Sequence, residues 1–419
     1  MIIEKFSVFA CVAFASGTLA LSACAGSSDG SAQGVPQGGG AGANGGAATA
    51  GAAGSPTNSG GAGGSALAGA AGALAGSGGA GGLGEIAGSG GSGGSAGSSG
   101  GAAGSSASDP GAEGDGLRTV PQPFKAAPET VKQDGVPHGK ILKFTIAGNS
   151  SKIYPKCPNR EVNVYVPTQY VTGTPAPVMV VQDGNQFYGF VDTLSNTLDN
   201  LINAKKLPPI VAVFANNGGG DAMGSERGLE YDTLSGVYGE WVDQELLPRV
   251  EQETKTQLAA QAVTFTKDPE GRAAMGGSSG GAASFIMLWY HPDLYRRAVT
   301  FSASFVAQES PKNPDHPLGA WNFHEDGKQD AGGIIVKTDP IKPIRVWLEA
   351  GTADNNHNMS YPYYDIEFGN RQVQLKMTAK GYHVHLDIGT NATHVDGGMI
   401  RQTLPEALLW TWRGYQGVK

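Results

Sequence analysis

Short, continuous apolar runs alternate along most of the chain with segments whose apolar residues recur at helical spacing. Runs of this kind are typical of strands buried on both faces of a sheet. They predict strands over Pro177–Gln182, Ile210–Ala215, Arg272–Met275, Ala298–Phe301, Ile344–Glu349 and Val384–Ile388. The intervening segments predict helices over Phe190–Lys205, Val237–Val250, Gly280–Tyr290, Tyr364–Lys380 and Leu404–Trp412. Strands that alternate with helices favour a mostly parallel sheet with helices on both faces.

Two earlier segments have a different pattern. Lys140–Ile146 and Glu161–Val166 alternate in polarity, and a turn-rich gap separates them. This pattern predicts an antiparallel pair of strands. An antiparallel pair followed by a mostly parallel sheet is typical of an α/β-hydrolase-like fold.

Composition divides the chain before this pattern begins. Residues 25–116 hold 35 glycines in 92 positions, most of the others are Ala or Ser, and Phe, Trp, Tyr, Lys and Arg are absent. So few apolar side chains cannot offset the conformational entropy of an ordered backbone. We therefore expect residues 24–116 to form a disordered tether with a root-mean-square span of roughly 50 Å, and residues 117–419 to form the folded domain.

The N-terminus predicts export. An apolar run from Phe6 to Leu21 is too short to span a bilayer comfortably but suits a signal peptide. The sequence Leu21-Ser22-Ala23-Cys24 resembles a bacterial lipobox, which implies a signal over residues 1–23 and lipidation of Cys24. The alternative is an ordinary secretory signal cut nearby. The prediction is a protein anchored by lipid to the bacterial outer membrane or cell surface, with no other membrane contact.

Charge and cysteine content narrow the function classes. The net charge of the chain is −8, and the tether carries five acidic and no basic residues, so residues 117–419 carry about −3. Without a basic run, this domain is not expected to bind nucleic acid. Cys157 is the only cysteine outside the predicted signal and lipobox. We expect no disulfide, and a structural rather than nucleophilic thiol.

A candidate nucleophile lies at Gly276-Gly277-Ser278-Ser279-Gly280, which matches the pattern G-x-S-x-G. Composition alone produces the same pattern in the tether, centred on Ser28, Ser92, Ser95 and Ser99. Only Ser278 follows a predicted strand and precedes an apolar helix. This context is required of a nucleophile on a sharp strand-to-helix turn. The alternative is a glycine-rich turn with a capping serine.

A serine nucleophile needs a base and an acid that orients the base, and in this fold they follow the serine in the order acid, then histidine. His394 lies in a polar loop after the last predicted strand, where such a base is expected. His383 and His385 fall within or beside that strand, which favours structural roles. Asp354 follows the penultimate strand and is the first choice for the acid, with Glu349 as the alternative.

Several segments together resemble the enterochelin-esterase-like branch of the α/β hydrolases, also called the esterase D-like family. They are Met179–Phe187, Leu198–Phe214, Glu226–Tyr231, Trp241–Val250 and Arg272–Ser304. The resemblance implies a triad of Ser278, His394 and Asp354. It implies an oxyanion hole formed by the Ser279 N–H and by an N–H of Gly184 or Asn185. Arg227 and Glu230 match the family's Arg-x-x-Glu, which implies a place near the substrate pocket, or equally a structural ion pair.

The hypothesis from the sequence is a serine carboxylic ester hydrolase that needs no cofactor and no metal, since no His, Asp or Glu cluster has clear ligand spacing. The resemblance implies small-molecule or polysaccharide-linked esters as substrates: feruloyl, acetyl or siderophore esters. A non-catalytic surface binding module and an acyltransferase using the same triad are the alternatives. Residues 305–340, with Trp321, Phe323 and His324, are expected to form a lid or pocket wall. The sequence leaves the oligomeric state open.

Overall fold

The computed structural model describes residues 110–184, 188–221, 224–308, 313–326, 332–356, 362–415 and 417. The predicted signal, Cys24 and the tether as far as residue 109 lie outside this part of the chain, as does Asn185. None of the helices in the described part combines the length and apolarity needed to cross a membrane.

The described residues form strands and helices in alternation. The strands are β1 (Gly116–Val120), β2 (Lys140–Ile146), β3 (Arg160–Val166), β4 (Pro175–Ala176), β5 (Val178–Gln182), β6 (Val211–Ala215), β7 (Thr264–Phe265), β8 (Arg272–Gly277), β9 (Arg297–Phe301), β10 (Arg345–Gly351) and β11 (His383–Gly389). The helices are α1 (Phe190–Asn203), α2 (Glu226–Tyr231), α3 (Val237–Trp241), α4 (Leu247–Gln257), α5 (Ser279–Tyr290), α6 (Ile334–Lys337), α7 (Ile366–Lys380) and α8 (Gly397–Thr411). A π-helical turn, Val242–Leu246, joins α3 to α4.

Nine strands form one sheet in the order β1-β11-β10-β9-β8-β5-β6-β3-β2. In this spatial order, the seven strands from β1 at the edge as far as β6 pair in parallel. β3 pairs antiparallel with both β6 and β2. The short strands β4 and β7 pair separately. The prediction of a mostly parallel, α/β-hydrolase-like sheet is confirmed.

The apolar strands are continuous because both faces of the sheet are buried. In β5, Val178 and Val180 belong to the core on one face, which includes residues of α5 and α7. Met179 and Val181 belong to the core on the other face, which includes residues of α1 and α8. A strand between two helical layers has no solvent-facing side, so the period-2 alternation of polarity disappears from its sequence.

Strand β1 was not predicted. Its first residue, Gly116, falls in the predicted tether, and its exposure alternates because it lies at the edge of the sheet. It is held by parallel pairing with β11 and by Arg118, which donates two hydrogen bonds of 2.7 Å to Asp387. Just before it, Asp115 accepts from His383 Nδ1 at 2.7 Å. The folded part of the chain therefore begins before residue 117.

The predicted lid or pocket wall also differs from the structure. Trp321, Phe323 and His324 are each at most 2% exposed. Phe323 packs edge-on against Phe285 and Phe305. His324 lies against the Trp321 ring with centroids 4.3 Å apart, and burial lowers the pKa of His324 to about 4. These aromatic side chains are part of the core, because α7 and α5 cover them.

Candidate active site

The residues predicted to carry the chemistry follow three of the parallel strands. Ser278 comes directly after β8, Asp354 follows β10, and His394 follows β11. The carboxyl ends of parallel strands meet at the same edge of a sheet, and this edge is where α/β folds place their ligands. The topology therefore brings three distant segments of the chain to one edge.

Ser278 occupies a strained turn between β8 and α5. Its backbone angles are φ 58° and ψ −130°, a region that L-residues rarely adopt and that costs about 1–3 kcal/mol. Hydrogen bonds hold the turn: Ser278 N donates to the Phe301 carbonyl at 2.9 Å, and the Ser278 carbonyl accepts from Ser304 N at 3.1 Å. Neighbouring backbone from β9 and the loop after it therefore fixes the conformation that presents the serine.

The motif glycines allow the close approach that this turn needs. A Cβ on Gly276 would lie 2.4 Å from the Gly280 carbonyl oxygen, and a Cβ on Gly280 would lie 3.0 Å from Gln182 Cβ. The first contact is with backbone, which cannot move aside. Residues two before and two after Ser278 must therefore be very small, which is the physical content of G-x-S-x-G.

The turn at Ser278 between β8 and α5, which we call the serine elbow, packs directly against the loop that carries His394. A Cβ on Gly277 would lie 2.9 Å from Val395 Cγ1 and 3.0 Å from Tyr188 Cε2. Because Val395 follows His394 and Gly277 precedes Ser278, this contact brings the two segments together. The Ser278 hydroxyl itself lies 3.5 Å from the Ser304 hydroxyl.

His394 and Asp354 form a hydrogen-bonded pair. His394 Nδ1 lies 2.7 Å from Asp354 Oδ1, and Asp354 is 4% exposed. Since a carboxylate only accepts, Nδ1 carries the proton and Nε2 is left with a lone pair. Asp354 also accepts from the backbone N–H of Asn355 at 2.7 Å and of Gly351 at 3.3 Å. These donors fix the orientation of the carboxylate.

Backbone hydrogen bonds tie the acid turn to the histidine loop. Thr352 N donates to the Gly389 carbonyl at 2.9 Å, and Ala353 N donates to the Ala392 carbonyl at 3.0 Å. Asn391 N donates in turn to Thr352 Oγ1 at 2.7 Å. The parallel register of β10 and β11, which places Gly351 opposite Gly389, makes these bonds possible. Asp354 and His394 are therefore carried on one rigid unit.

Sequence analysis missed Ser302, which links the acid to the histidine loop. Its hydroxyl donates to Asp354 Oδ2 at 2.6 Å and accepts from Val395 N at 2.9 Å. Ser302 is 3% exposed and adopts a positive φ of 48°. Its place directly after β9, at the edge that carries the other residues, is the signal that could have identified it.

Glu349, the alternative acid, has other partners. It accepts a hydrogen bond from Thr403 Oγ1 at 2.5 Å. Burial raises the pKa of Glu349 well above its ordinary value, which favours a neutral carboxyl. A neutral carboxyl bonded to Thr403 of α8 does not orient His394, so the geometry favours Asp354.

Residues predicted for the oxyanion hole lie on both sides of the elbow. Ser279 begins α5, where backbone N–H groups have no partner within the helix. Its hydroxyl accepts from Gln308 Nε2 at 2.9 Å and contacts Asp232. On the other side, Gly184 follows Asp183, which has a positive φ of 55°. A Cβ on Gly184 would lie 2.7 Å from the Phe214 ring. Asn185, the other predicted donor, lies outside the described residues.

Arg227 and Glu230 do not pair with each other, and both are 2% exposed. Arg227 donates to Asp183 Oδ2 from Nη2 at 2.7 Å and from Nε at 2.9 Å. Glu230 forms a buried ion pair with Arg160 and accepts from Gly218 N at 2.9 Å. These contacts are structural ion pairs, the alternative that the sequence left open. Arg227 braces the loop that begins at Asp183, and Glu230 is structural.

Metal binding and thiol chemistry find no support among the described residues. No three His, Cys, Asp or Glu side chains among the described residues are grouped to hold a metal ion. Cys157 is buried, and its thiol lies 3.6 Å from Glu230 Oε1. Burial raises the pKa of Cys157 to about 12, so the thiol stays protonated and is a poor nucleophile.

A cavity of about 370 Å³ lies at the opposite edge of the sheet, where β9, β10 and β11 begin. Arg297, which lines it, donates to Glu270 Oε2 at 2.6 Å and to the Arg413 carbonyl at 3.0 Å. The Arg297 guanidinium therefore holds neighbouring segments of the chain together. Ser278, Asp354 and His394 lie at the other, carboxyl edge of the sheet.

Comparisons with known proteins agree with this fold. The sequence profile of the family described as "Putative esterase" matches residues 157–411. Curated protein sequences give no match.

Among solved structures, a CE1 ferulic acid esterase from Anaeromyces mucronatus in complex with ferulic acid has a TM-score of 0.50 and 15% identity, covering 69% of this chain and 97% of that chain. An enterobactin esterase from Shigella flexneri has a TM-score of 0.45 and 18% identity, covering 69% of this chain and 63% of that chain. A feruloyl esterase module from Clostridium thermocellum complexed with sinapinate has a TM-score of 0.45 and 16% identity, covering 71% and 96%.

The profile match extends over more than half of the chain and spans both the serine elbow and the histidine loop. The chain therefore belongs to the esterase family of α/β hydrolases and is a carboxylic ester hydrolase.

Proposed function

We propose that the chain cleaves carboxylic esters by covalent serine catalysis, with Ser278 as nucleophile, His394 as general base and Asp354 as the acid that orients the base. The observation that carries this proposal is the 2.7 Å contact between His394 Nδ1 and Asp354 Oδ1, on a loop packed against the serine elbow. A serine hydroxyl is inert at neutral pH without such a base.

In the acylation step, Ser278 Oγ forms a bond to the ester carbonyl carbon while its proton passes to His394 Nε2. The electron pair of the carbonyl moves to its oxygen, and Asp354 stabilises the imidazolium that results. When the tetrahedral intermediate collapses, the bond to the leaving alcohol breaks, and His394 returns the proton to the alcohol oxygen. The product of this step is an acyl-enzyme on Ser278.

Deacylation repeats the chemistry with water. His394 takes a proton from the water, and the hydroxyl adds to the acyl carbon. When the second intermediate collapses, the bond from the acyl carbon to Ser278 Oγ breaks, and His394 returns the proton to Oγ, which gives the carboxylic acid and free Ser278. The Ser279 N–H and an N–H of the Gly184–Asn185 segment would bind the oxyanion in both steps. Each donor of this kind is worth about 3 kcal/mol of transition-state stabilisation.

For the substrate, we propose a neutral ester linked to a polysaccharide, with a feruloyl or acetyl group as the acyl part. The fold is shared with a ferulic acid esterase whose structure contains ferulic acid. The charge of about −3 on residues 117–419 favours a neutral over an anionic ester. A screen of feruloyl, acetyl-xylan and catecholate siderophore esters tests this choice, and a clear preference for the last would contradict it.

For location, we propose export and lipid anchoring at Cys24, with residues 24–116 as the tether. The lipobox-like sequence and the glycine-rich composition support this proposal. Fractionation of cells that express the full-length chain tests it. The wild type should partition with membranes, and Cys24→Ala should move to the soluble fraction. Equal membrane association of the two would contradict lipidation.

The catalytic proposal is tested with purified full-length protein and p-nitrophenyl acetate. Ser278→Ala should abolish hydrolysis and labelling by a fluorophosphonate probe. The matched control is Ser99→Ala, because Ser99 is centred in the same G-x-S-x-G pattern within the tether, and it should leave both signals unchanged. Turnover by Ser278→Ala equal to that of the wild type would refute the triad. Transfer of the acyl group to an added sugar rather than to water would identify an acyltransferase.

A further inference from the structure

Tyr188 is held beside the serine elbow by its ring. It lies in the segment between β5 and α1, which also carries Gly184. Its Cε2 is 3.0 Å from the position that a Cβ would take on Gly277. The ring centroid lies 5.4 Å from that of Phe190. The phenol is therefore wedged between the elbow and the first turn of α1, which restricts where its hydroxyl can point.

The Tyr188 hydroxyl lies near the Ser278 side chain, which acts to lower the pKa of the phenol. During acylation, Ser278 Oγ becomes bonded to the carbonyl carbon, so the oxyanion is separated from Oγ by that one carbon atom. A phenol that packs against Gly277, next to Ser278, can bring its hydroxyl to this oxyanion by rotation about the tyrosine side-chain bonds.

The surroundings keep this hydroxyl protonated. Burial raises the pKa of Tyr188, while the positive charge of nearby Arg227 acts in the opposite direction and Asp183 adds to the rise. A phenol with a raised pKa stays protonated, and therefore remains a donor, at neutral pH. The Arg227 charge also favours negative charge that develops close to the phenol.

We propose that the Tyr188 hydroxyl is a catalytic hydrogen-bond donor to the oxyanion, in addition to the two backbone N–H groups. This inference rests on the proposed serine mechanism and adds a side-chain donor to it. In the resting state the phenol lies beside Ser278, packed against Gly277. As Oγ commits its lone pair to the new bond, the phenol donates to the carbonyl oxygen that gains the charge. No proton is transferred, so the chemistry of the triad stays balanced.

The test compares Tyr188→Phe with the wild type as full-length protein, on p-nitrophenyl acetate and with phenylboronic acid, which forms a tetrahedral adduct on an active-site serine. The substitution keeps the ring and removes only the donor. A hydrogen bond to a developing charge predicts a fall in kcat of about 10- to 100-fold with little change in KM. The affinity for the boronic acid should fall by a similar factor.

Tyr382→Phe is the matched control. It also removes one tyrosine hydroxyl, which accepts from Lys342 N at 3.1 Å near the amino end of β11, and it should leave kcat and boronate affinity unchanged. The variant Ser278→Ala separates this inference from the proposed function. If Ser278→Ala is inactive but Tyr188→Phe retains the kcat of the wild type, the oxyanion role of Tyr188 is wrong. An unchanged boronate affinity would overturn it in the same way. Wild-type turnover by Ser278→Ala would overturn the serine mechanism and this inference together.

Discussion

Removal of the Ser302 hydroxyl tests the geometry of the site most directly. This hydroxyl donates to Asp354 Oδ2 at 2.6 Å and accepts from Val395 N at 2.9 Å, so Ser302→Ala removes two buried hydrogen bonds with one atom. The bond to a charged carboxylate is worth about 1.5–3 kcal/mol, and a buried N–H left without an acceptor costs about 1–3 kcal/mol. The free energy of unfolding should therefore fall by about 2.5–6 kcal/mol.

The same loss should slow catalysis, because Asp354 and the loop of His394 both lose a restraint. If the bond to Asp354 is felt fully in the transition state, kcat falls by about 10- to 150-fold. The assays are p-nitrophenyl acetate hydrolysis, with kcat and KM separated, and urea unfolding followed by tryptophan fluorescence. A lower kcat at unchanged KM is expected, since the substrate is bound by other groups.

Ser302→Gly is the control that separates the hydroxyl from backbone strain. Glycine adopts the positive φ of 48° at this position without the strain that a side chain brings. Both variants lack the hydroxyl, so both should lose the same factor in kcat, and the glycine variant should unfold no more easily than the alanine variant. A kcat of Ser302→Ala within twofold of the wild type would refute the reasoning. Full activity in Ser302→Gly would show that strain, not the hydroxyl, matters.

Three further predictions follow from single contacts. Asp354→Asn should lower kcat by about 10⁴-fold, whereas Glu349→Gln, whose carboxyl accepts from Thr403, should stay within a few-fold; equal losses in steady-state kinetics would contradict the assignment of the acid. Gly276→Ala should prevent folding to a soluble, active protein, because its Cβ would lie 2.4 Å from backbone oxygen, while Gly397→Ala, which meets only the end of the Arg401 side chain at 3.3 Å, should be tolerated; circular dichroism and activity decide. Burial raises the pKa of Asp232 to about 6, so the folded state binds more protons than the unfolded state between about pH 4 and 6, and the free energy of unfolding should fall as pH rises through that window. Urea unfolding of Asp232→Asn should lack this part of the pH dependence. A pH profile of stability identical to that of the wild type would contradict the raised pKa.

Much of the fold follows from local patterns that the tertiary structure reinforces. The inner parallel strands (β5, β6 and β8–β11) and α1, α5 and α7 have continuous apolar runs or helical periodicity, and their predicted bounds differ from the observed ones by a few residues at most. These elements are buried on both faces or along one stripe, so their sequences record the environment directly. The elbow is also local, since its glycines, strand and helix are contiguous.

Elements that are stabilised by distant partners have no local sequence pattern from which they could be predicted. β1 was missed because an edge strand with alternating exposure is stabilised by β11 and by the bond from Arg118 to Asp387, more than 260 residues away in sequence. The aromatic residues near Trp321 looked like a pocket wall because their cover, α7, comes later in the chain. Ser302 has no motif, and its role exists only because β9 ends between the serine elbow after β8 and the acid turn after β10.

The sequence by itself determined the class of fold and the strand-to-helix turn at Ser278, and it placed the candidate acid and histidine after that turn, because each depends on neighbouring residues and on a fixed chain direction. Only the tertiary structure placed Asp354 against His394 and Glu349 against Thr403, separated Arg227 from Glu230, and brought Ser302 and Tyr188 to the same edge as the elbow. The physical reason is that hydrogen bonds act over about 3 Å, and strand order, not sequence distance, decides which side chains come that close.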